Sequence, residues 1–136
     1  MVKKKIYLAG GWSDWRDLVR STIDNCDWFD PRDVQDPLTG KNLPNWFEAE
    51  VEMIKECDAM IAYIANQNPS GFGTTWETGV CYGLNKPYIF INEKDNEYNW
   101  SMQTKGSFAD FKSIDEALRW IRDTGWMNLI VNEKFI

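Results

Sequence analysis

The stretch "AMIAYIANQNPSGFGTTWETGVCYGLNKPYIFIN", residues 59–92, decides the fold. Its first seven residues, 59–65, are an apolar run bounded by turn formers, and they read as a buried strand. A polar, glycine-containing loop follows over 66–74. A helix is expected from about residue 75 to 84, stopped by Asn85 and Pro87. "YIFIN", residues 88–92, is the next strand. Strand, helix and strand in that order make the repeating unit of a parallel sheet.

The flanks repeat the alternation. "KIYLAG", residues 5–10, is a short buried strand that runs into a tight Gly-Gly loop. Residues 13–23 follow as a helix, with Ser13 as N-cap and Trp15, Leu18, Val19 and Ile23 at helical spacing. Residues 27–31 read as a second strand and 32–45 as a long polar loop. Residues 46–58 read as a helix capped by Asn45. After the fourth strand come a polar loop over 93–106 and a short fifth strand within 107–111. A helix over 113–125 is opened by a capping box of Ser113 and Glu116. The tail, 126–136, is either an added strand or a docking arm. The whole chain, 1–136, therefore reads as one α/β domain with a mainly parallel five-stranded sheet and right-handed crossovers. Ligands of such sheets bind at the carboxyl ends of the strands. Three loops would meet there: 10–13, 66–74 and 93–106.

Composition narrows the chemistry. The net charge is −6, which argues against a nucleic-acid polymer as partner, since that would need a basic stripe. The one basic run, Lys3 to Lys5, reads as a solvated flank of the first strand. No stretch is long and apolar enough to cross a membrane. Three widely spaced cysteines without a CxxC pair point away from zinc. With no signal peptide in view, they suggest a reducing, cytoplasmic setting. The chain has no histidine at all, so a histidine-based triad or a histidine-ligated metal is excluded. Acid–base or nucleophilic work must fall to carboxylates, Tyr, Lys, Cys or Ser. No metal or cofactor is expected.

Two carboxylates stand out. Glu77 follows Thr74 by three positions, so the pair fits a capping box, with Thr74 as N-cap. The same glutamate would sit at the rim of the binding crevice, among Gly71, Gly73 and Gly79. A glycine inside a helix costs ~1 kcal/mol relative to alanine, and makes sense where something approaches the backbone closely. Capping and attack are compatible roles. Glu50 lies on the apolar stripe Phe47–Val51–Ile54 of its helix, whereas Glu48, Glu52 and Glu56 point elsewhere. A buried carboxylate needs a partner or a cavity. Tyr7 points to the opposite face of the first strand from Ile6 and Leu8, either into the core or to the crevice. The loop of Gly10, Gly11 and Trp12 leads into a helix N-terminus and can cradle a phosphate or a sugar; Arg16 either steadies a phosphate or is simply exposed. Trp12, Phe72, Trp76 and Trp100 lie in or beside the site loops, where they either pack or stack on a base. Asp58 reads as a turn residue that satisfies backbone donors.

"KIYLAGG", "EAEVEMIKECDAMIAYI" and "GTTWETGVCYGLNKPYIFI" together resemble the nucleoside 2-deoxyribosyltransferases and the related 2'-deoxynucleoside 5'-monophosphate N-glycosidases. The resemblance covers residues 4–121, and its most specific part is the G-T-x-x-E-x-G core. It implies a flavodoxin-like three-layer sandwich and a glutamate that attacks the anomeric carbon of a deoxynucleoside. A second base, or water, then resolves the glycosyl-enzyme. By that resemblance Glu77 is the nucleophile, Tyr7 orients it, and Glu50 stands where the family has an Asp. Gly10, Gly11, Gly71, Gly73 and Thr74 fall in the substrate loops, while Asn99 and Met102 resemble a pair lent to the neighbouring subunit of a homo-oligomer. The implied partners are a nucleoside or nucleotide and a free nucleobase. One departure is plain: the family often carries Asp just before the G-T motif, where this chain has Ser70 or Gly71. The resemblance thus implies a cytoplasmic nucleoside deoxyribosyltransferase of nucleotide salvage. Its rivals are a nucleotide N-hydrolase and a nucleotide-binding sensor without turnover.

Overall fold

The computed structural model describes residues 3–67, 71–94 and 100–129. Five parallel strands, β1 (Lys4–Gly10), β2 (Cys26–Phe29), β3 (Ala59–Ile64), β4 (Tyr88–Asn92) and β5 (Ala109–Phe111), lie in the order β2-β1-β3-β4-β5. Between them run α1 (Trp15–Thr22), α2 (Trp46–Glu56), α3 (Phe72–Gly83) and α4 (Ser101–Gly106), followed by α5 (Ile114–Thr124) and α6 (Trp126–Leu129). The order reverses at β1: the chain steps one way to β2, then back past β1 to β3, β4 and β5. With crossovers of one hand, a reversal puts the helices on opposite faces.

The pleat sorts the side chains accordingly. Ile6, Leu8, Ile61, Ile89 and Ile91 pack with Val19 of α1 and Leu118 and Ile121 of α5. Tyr7, Ala9, Met60, Ala62, Ile64 and Phe90 pack with Ile54 of α2 and Cys81 of α3. The sheet is thus covered on both sides, which is why its central strands β3 and β4 are buried at every position rather than at every other one. This is the expected three-layer α/β sandwich.

Several local expectations need correction. α3 begins at Phe72, three residues before the expected start, with Gly71 as its N-cap at φ +82°. Thr74 is therefore a buried residue of the first turn and not a cap, and Glu77 belongs to the second turn. The proposed capping box does not exist: a glycine in the left-handed region starts the helix. Asp14, not Ser13, holds the N-cap position of α1, and Asn45 holds that of α2 without a side-chain bond. The 32–45 loop is less irregular than expected. It opens with a 3-10 turn, Pro31–Val34, and is pinned by a bridge between Gln35 and Asn42. Ser113 does cap α5, accepting from the Glu116 amide at 3.2 Å. The tail starts as helix α6 and not as a strand, because Trp126 and Met127 pack into the α5 side of the core; 130–136 lie outside the described residues. Asp58 accepts from the Lys5 amide at 2.8 Å, as a turn residue should. All three cysteines are free and buried.

Candidate active site

The reversal of strand order leaves a crevice where the carboxyl ends of β1 and β3 diverge. A cleft of about 760 Å3 opens there. Gly10, Gly11 and Trp12 line one side, Gly71, Gly73 and Thr74 another, and Glu50 and Glu77 line it too.

Tyr7 ties the cleft together. It is fully buried in β1 on the face covered by α2 and α3. Its hydroxyl donates to Glu77 Oε2 and lies 3.3 Å from Glu50 Oε1. A phenol has one proton, so it cannot serve both carboxylates when both are ionised. Burial pushes the Glu77 carboxyl up to about 8; the Tyr7 hydrogen bond opposes this and the Glu50 charge adds to it. Burial raises Glu50 as well, against hydrogen bonds from Tyr7 and Glu77. Burial first, then the two neighbouring carboxylates, raises the Tyr7 phenol, which stays a donor. Burial thus raises both carboxyls, as expected of two such groups in one poorly solvated site.

The helices deliver these groups by their spacing. On α2, Glu50 stands four residues before the fully buried Ile54, so it faces the sheet but reaches the cleft. On α3, Glu77 stands four residues before the fully buried Cys81 and behaves the same way. Glu48, Glu52 and Glu56 are exposed, as their phase predicts. Gly10 has a packing reason for being glycine: a Cβ there would sit 2.6 Å from the Trp15 ring and 2.8 Å from the Tyr63 carbonyl oxygen. Gly73 has nothing within 4 Å of such a Cβ, and faces open cleft.

The comparisons with known proteins give the family and the fold. The profile of the family described as nucleoside 2-deoxyribosyltransferase matches residues 6–112. The chain belongs to the nucleoside 2-deoxyribosyltransferase family. The family is one of enzymes, which makes this chain an enzyme. A search of curated protein sequences returned no match. Among solved structures the chain is similar to the 2-deoxyribosyltransferase of Bacillus psychrosaccharolyticus, with TM-score 0.68 and 23% identity, over 97% of this chain and 99% of that one. It is also similar to the CMP N-glycosidase of Clostridium botulinum, with TM-score 0.59 and 19% identity, over 89% of this chain and 99% of that one. At those identities the likeness speaks to the fold, which is the family's α/β sandwich.

Of the two positions, Ser70 or Gly71, where the resemblance implies an Asp, Gly71 has a structural reason for being glycine. Gly71 sits at φ +82°, and a Cβ there would lie 3.0 Å from Ile64 Cδ1 and 3.2 Å from the Trp100 ring. A side chain at this position would be strained and crowded. Arg16 is buried, not exposed, and its Nε, Nη1 and Nη2 each donate to a backbone carbonyl. Met102 is 80% exposed on α4 and does not line the cleft of its own chain; Asn99 and Ser70 lie outside the described residues. Trp100 packs against Phe90 in the core. The sequence reading missed Trp46 and Phe47 as cleft residues. Both line the mouth, and Phe47 meets Trp76 of α3 at 5.5 Å between ring centroids. An adjacent Trp-Phe pair at the start of a helix, only half of it able to face the sheet, was the available signal. Among the described residues no group of three or more His, Cys, Asp or Glu is placed to hold a metal ion. Nor is any helix among them long and apolar enough to cross a membrane.

Proposed function

We propose that the chain cleaves the N-glycosidic bond of a deoxynucleoside through Glu77 and transfers the sugar to another base. The observation that carries this reading is the chain Glu50–Tyr7–Glu77 at the foot of the cleft. Departure of the base leaves an oxocarbenium-like sugar, which a carboxylate a few ångströms away can trap. A dyad holding one proton has the complement this needs. As Glu77 attacks the anomeric carbon, the shared proton leaves by way of Glu50 for the departing base, and the C–N bond breaks. The second half runs in reverse: an incoming base gives its proton to Glu50 and takes the sugar, which frees Glu77. Tyr7 holds the attacking oxygen in line throughout. The aromatic mouth of Trp12, Trp46, Phe47 and Trp76 suits a flat base on arrival and departure. Gly10, Gly11, Gly73 and Thr74 leave room for the sugar.

One observation weighs against the nucleotide N-hydrolase as second reading. Among the described residues lining the cleft, Arg16 is the only cation, and its three nitrogens already donate to the carbonyls of Leu8, Gly10 and Gly11. A 5'-phosphate would meet there only this buried guanidinium, already bonded to three carbonyls. We also infer a homo-oligomer that shares its sites, supported by the exposure of Phe72, Trp76, Tyr82 and Met102 on α3 and α4. Three free thiols suit a reducing, cytoplasmic setting and a place in nucleotide salvage.

The test is incubation of a deoxynucleoside with and without a second free base. Exchange of base supports transfer; free sugar released at the same rate regardless of added base supports hydrolysis. Glu77→Ala should abolish base release with the fold intact. Equal ligand binding by wild type and variant, with no release by either, would mean a sensor.

A further inference from the structure

Arg16 is the largest fully buried side chain among the described residues. Burying a guanidinium is costly unless it is paired and fully hydrogen-bonded, so its surroundings are informative. Its Nε donates to the Leu8 carbonyl at 3.1 Å, Nη2 to Gly10 at 2.9 Å and Nη1 to Gly11 at 2.7 Å. β2 runs out opposite Tyr7, whereas β3 pairs with β1 as far as Gly10. The carbonyls of Leu8 and Gly10, two residues apart, point to the edge that β2 has vacated, and Arg16 takes the place of the missing strand. Its Cζ lies 5.1 Å from the Trp12 ring centroid and 4.8 Å from that of Trp15. Its Nε stands 3.6 Å from Asp30 Oδ1. Asp30, itself 1% exposed, also receives Arg32 at 2.6 Å and Arg20 at 3.3 Å.

We propose that Arg16, anchored by Asp30, is a positioning residue for the reaction at Glu77: it fixes segment 10–12, one wall of the cleft, and supplies the buried positive charge beside the Glu50–Tyr7–Glu77 chain. The inference rests on the function proposed above. The groups facing Glu77 are Tyr7 from β1, Glu50 from α2 and Arg16 from α1; those facing Arg16 are Asp30, Arg32, Tyr7 and Glu77. Burial raises both carboxyls, and Arg16 opposes that rise in each. Arg16 thereby favours the ionised form of each carboxyl.

The experiment is a titration of 13C-labelled glutamate carboxyls by NMR in wild type, Arg16→Met, Arg16→Lys and Asp30→Asn, with the Glu77 signal assigned by its loss in Glu77→Gln. Each variant's folding is checked by circular dichroism, and the pH profile of kcat/KM for deoxynucleoside cleavage is recorded alongside. Arg16→Met should raise the Glu77 midpoint by about one pH unit and carry the pH profile with it. Arg16→Lys should restore the midpoint but not kcat, because one ammonium cannot span three carbonyls. Asp30→Asn, which leaves Arg16 less neutralised, should move the midpoint downwards. A midpoint unmoved in Arg16→Met and Asp30→Asn overturns the proposal; should Arg16→Met fail to fold, an unmoved midpoint in Asp30→Asn does so alone. A wild type that releases no base from any nucleoside defeats the proposed function, and the titration still decides what Arg16 does to Glu77.

Discussion

Glu77 has to be a nucleophile in a place that disfavours its charge. Burial lifts its carboxyl towards 8, and Tyr7 and Arg16 pull it back. Tyr7→Phe removes a hydrogen bond to a charged group, so kcat should drop by about 10- to 100-fold with the fold retained, measured as base release at fixed pH. The same environment makes stability depend on pH. The folded carboxyl titrates well above its ordinary value of 4.5, so the folded state binds more protons than the unfolded chain between that value and about 8. Stability from this group is therefore complete below pH 4.5 and lost as pH rises through 8. Glu77→Gln, which never ionises, should unfold about 5 °C above wild type at pH 9, and thermal scans should show the gain shrinking towards pH 5. Its base release should be lost at every pH.

At the scale of elements, the start of α3 and the end of β1 set the geometry. Gly71→Ala forces a Cβ into the left-handed region and against Ile64 and Trp100. It should cost about 1–3 kcal/mol in urea unfolding, and should lower kcat because α3 carries Glu77. Asp30→Ala strips Arg16, Arg20 and Arg32 of a common partner and leaves a buried guanidinium short of its counter-charge. Denaturant titration should show a loss of about 3 kcal/mol or more. These two sites also mark the limits of reading the sequence. The strands were legible because uninterrupted apolar runs such as 59–64 and 88–91 leave no other reading. Glu50 was legible because its phase on α2 contradicts its charge. The start of α3 was not, since Thr74 and Glu77 imitate a capping box, and only the crowding around Gly71 shows that a glycine must begin the helix. Arg16 was singled out, but its burial was not legible, because it depends on where β2 stops, a long-range fact that no local pattern carries.

For the whole molecule, the strand order is what turns scattered residues into a site. β1 brings Tyr7, and the reversal at β1 places α2 and α3 on one face, so two glutamates far apart in the chain meet one phenol. With a single buried arginine, Arg16, as the sole cation among the described cleft residues, a deoxynucleoside should be turned over at least about tenfold more efficiently than its 5'-monophosphate, read as kcat/KM for each. The claim on which everything else depends is that Glu77 carries the sugar. Acid-quenching the protein during turnover of a deoxynucleoside, with no acceptor base present, and mapping the trapped adduct by peptide mass spectrometry tests it directly. The account predicts a deoxyribosyl group on Glu77, which disappears when an acceptor base is added before the quench. An adduct on Glu50 or another residue, or steady base release with no adduct at any time point, would contradict it.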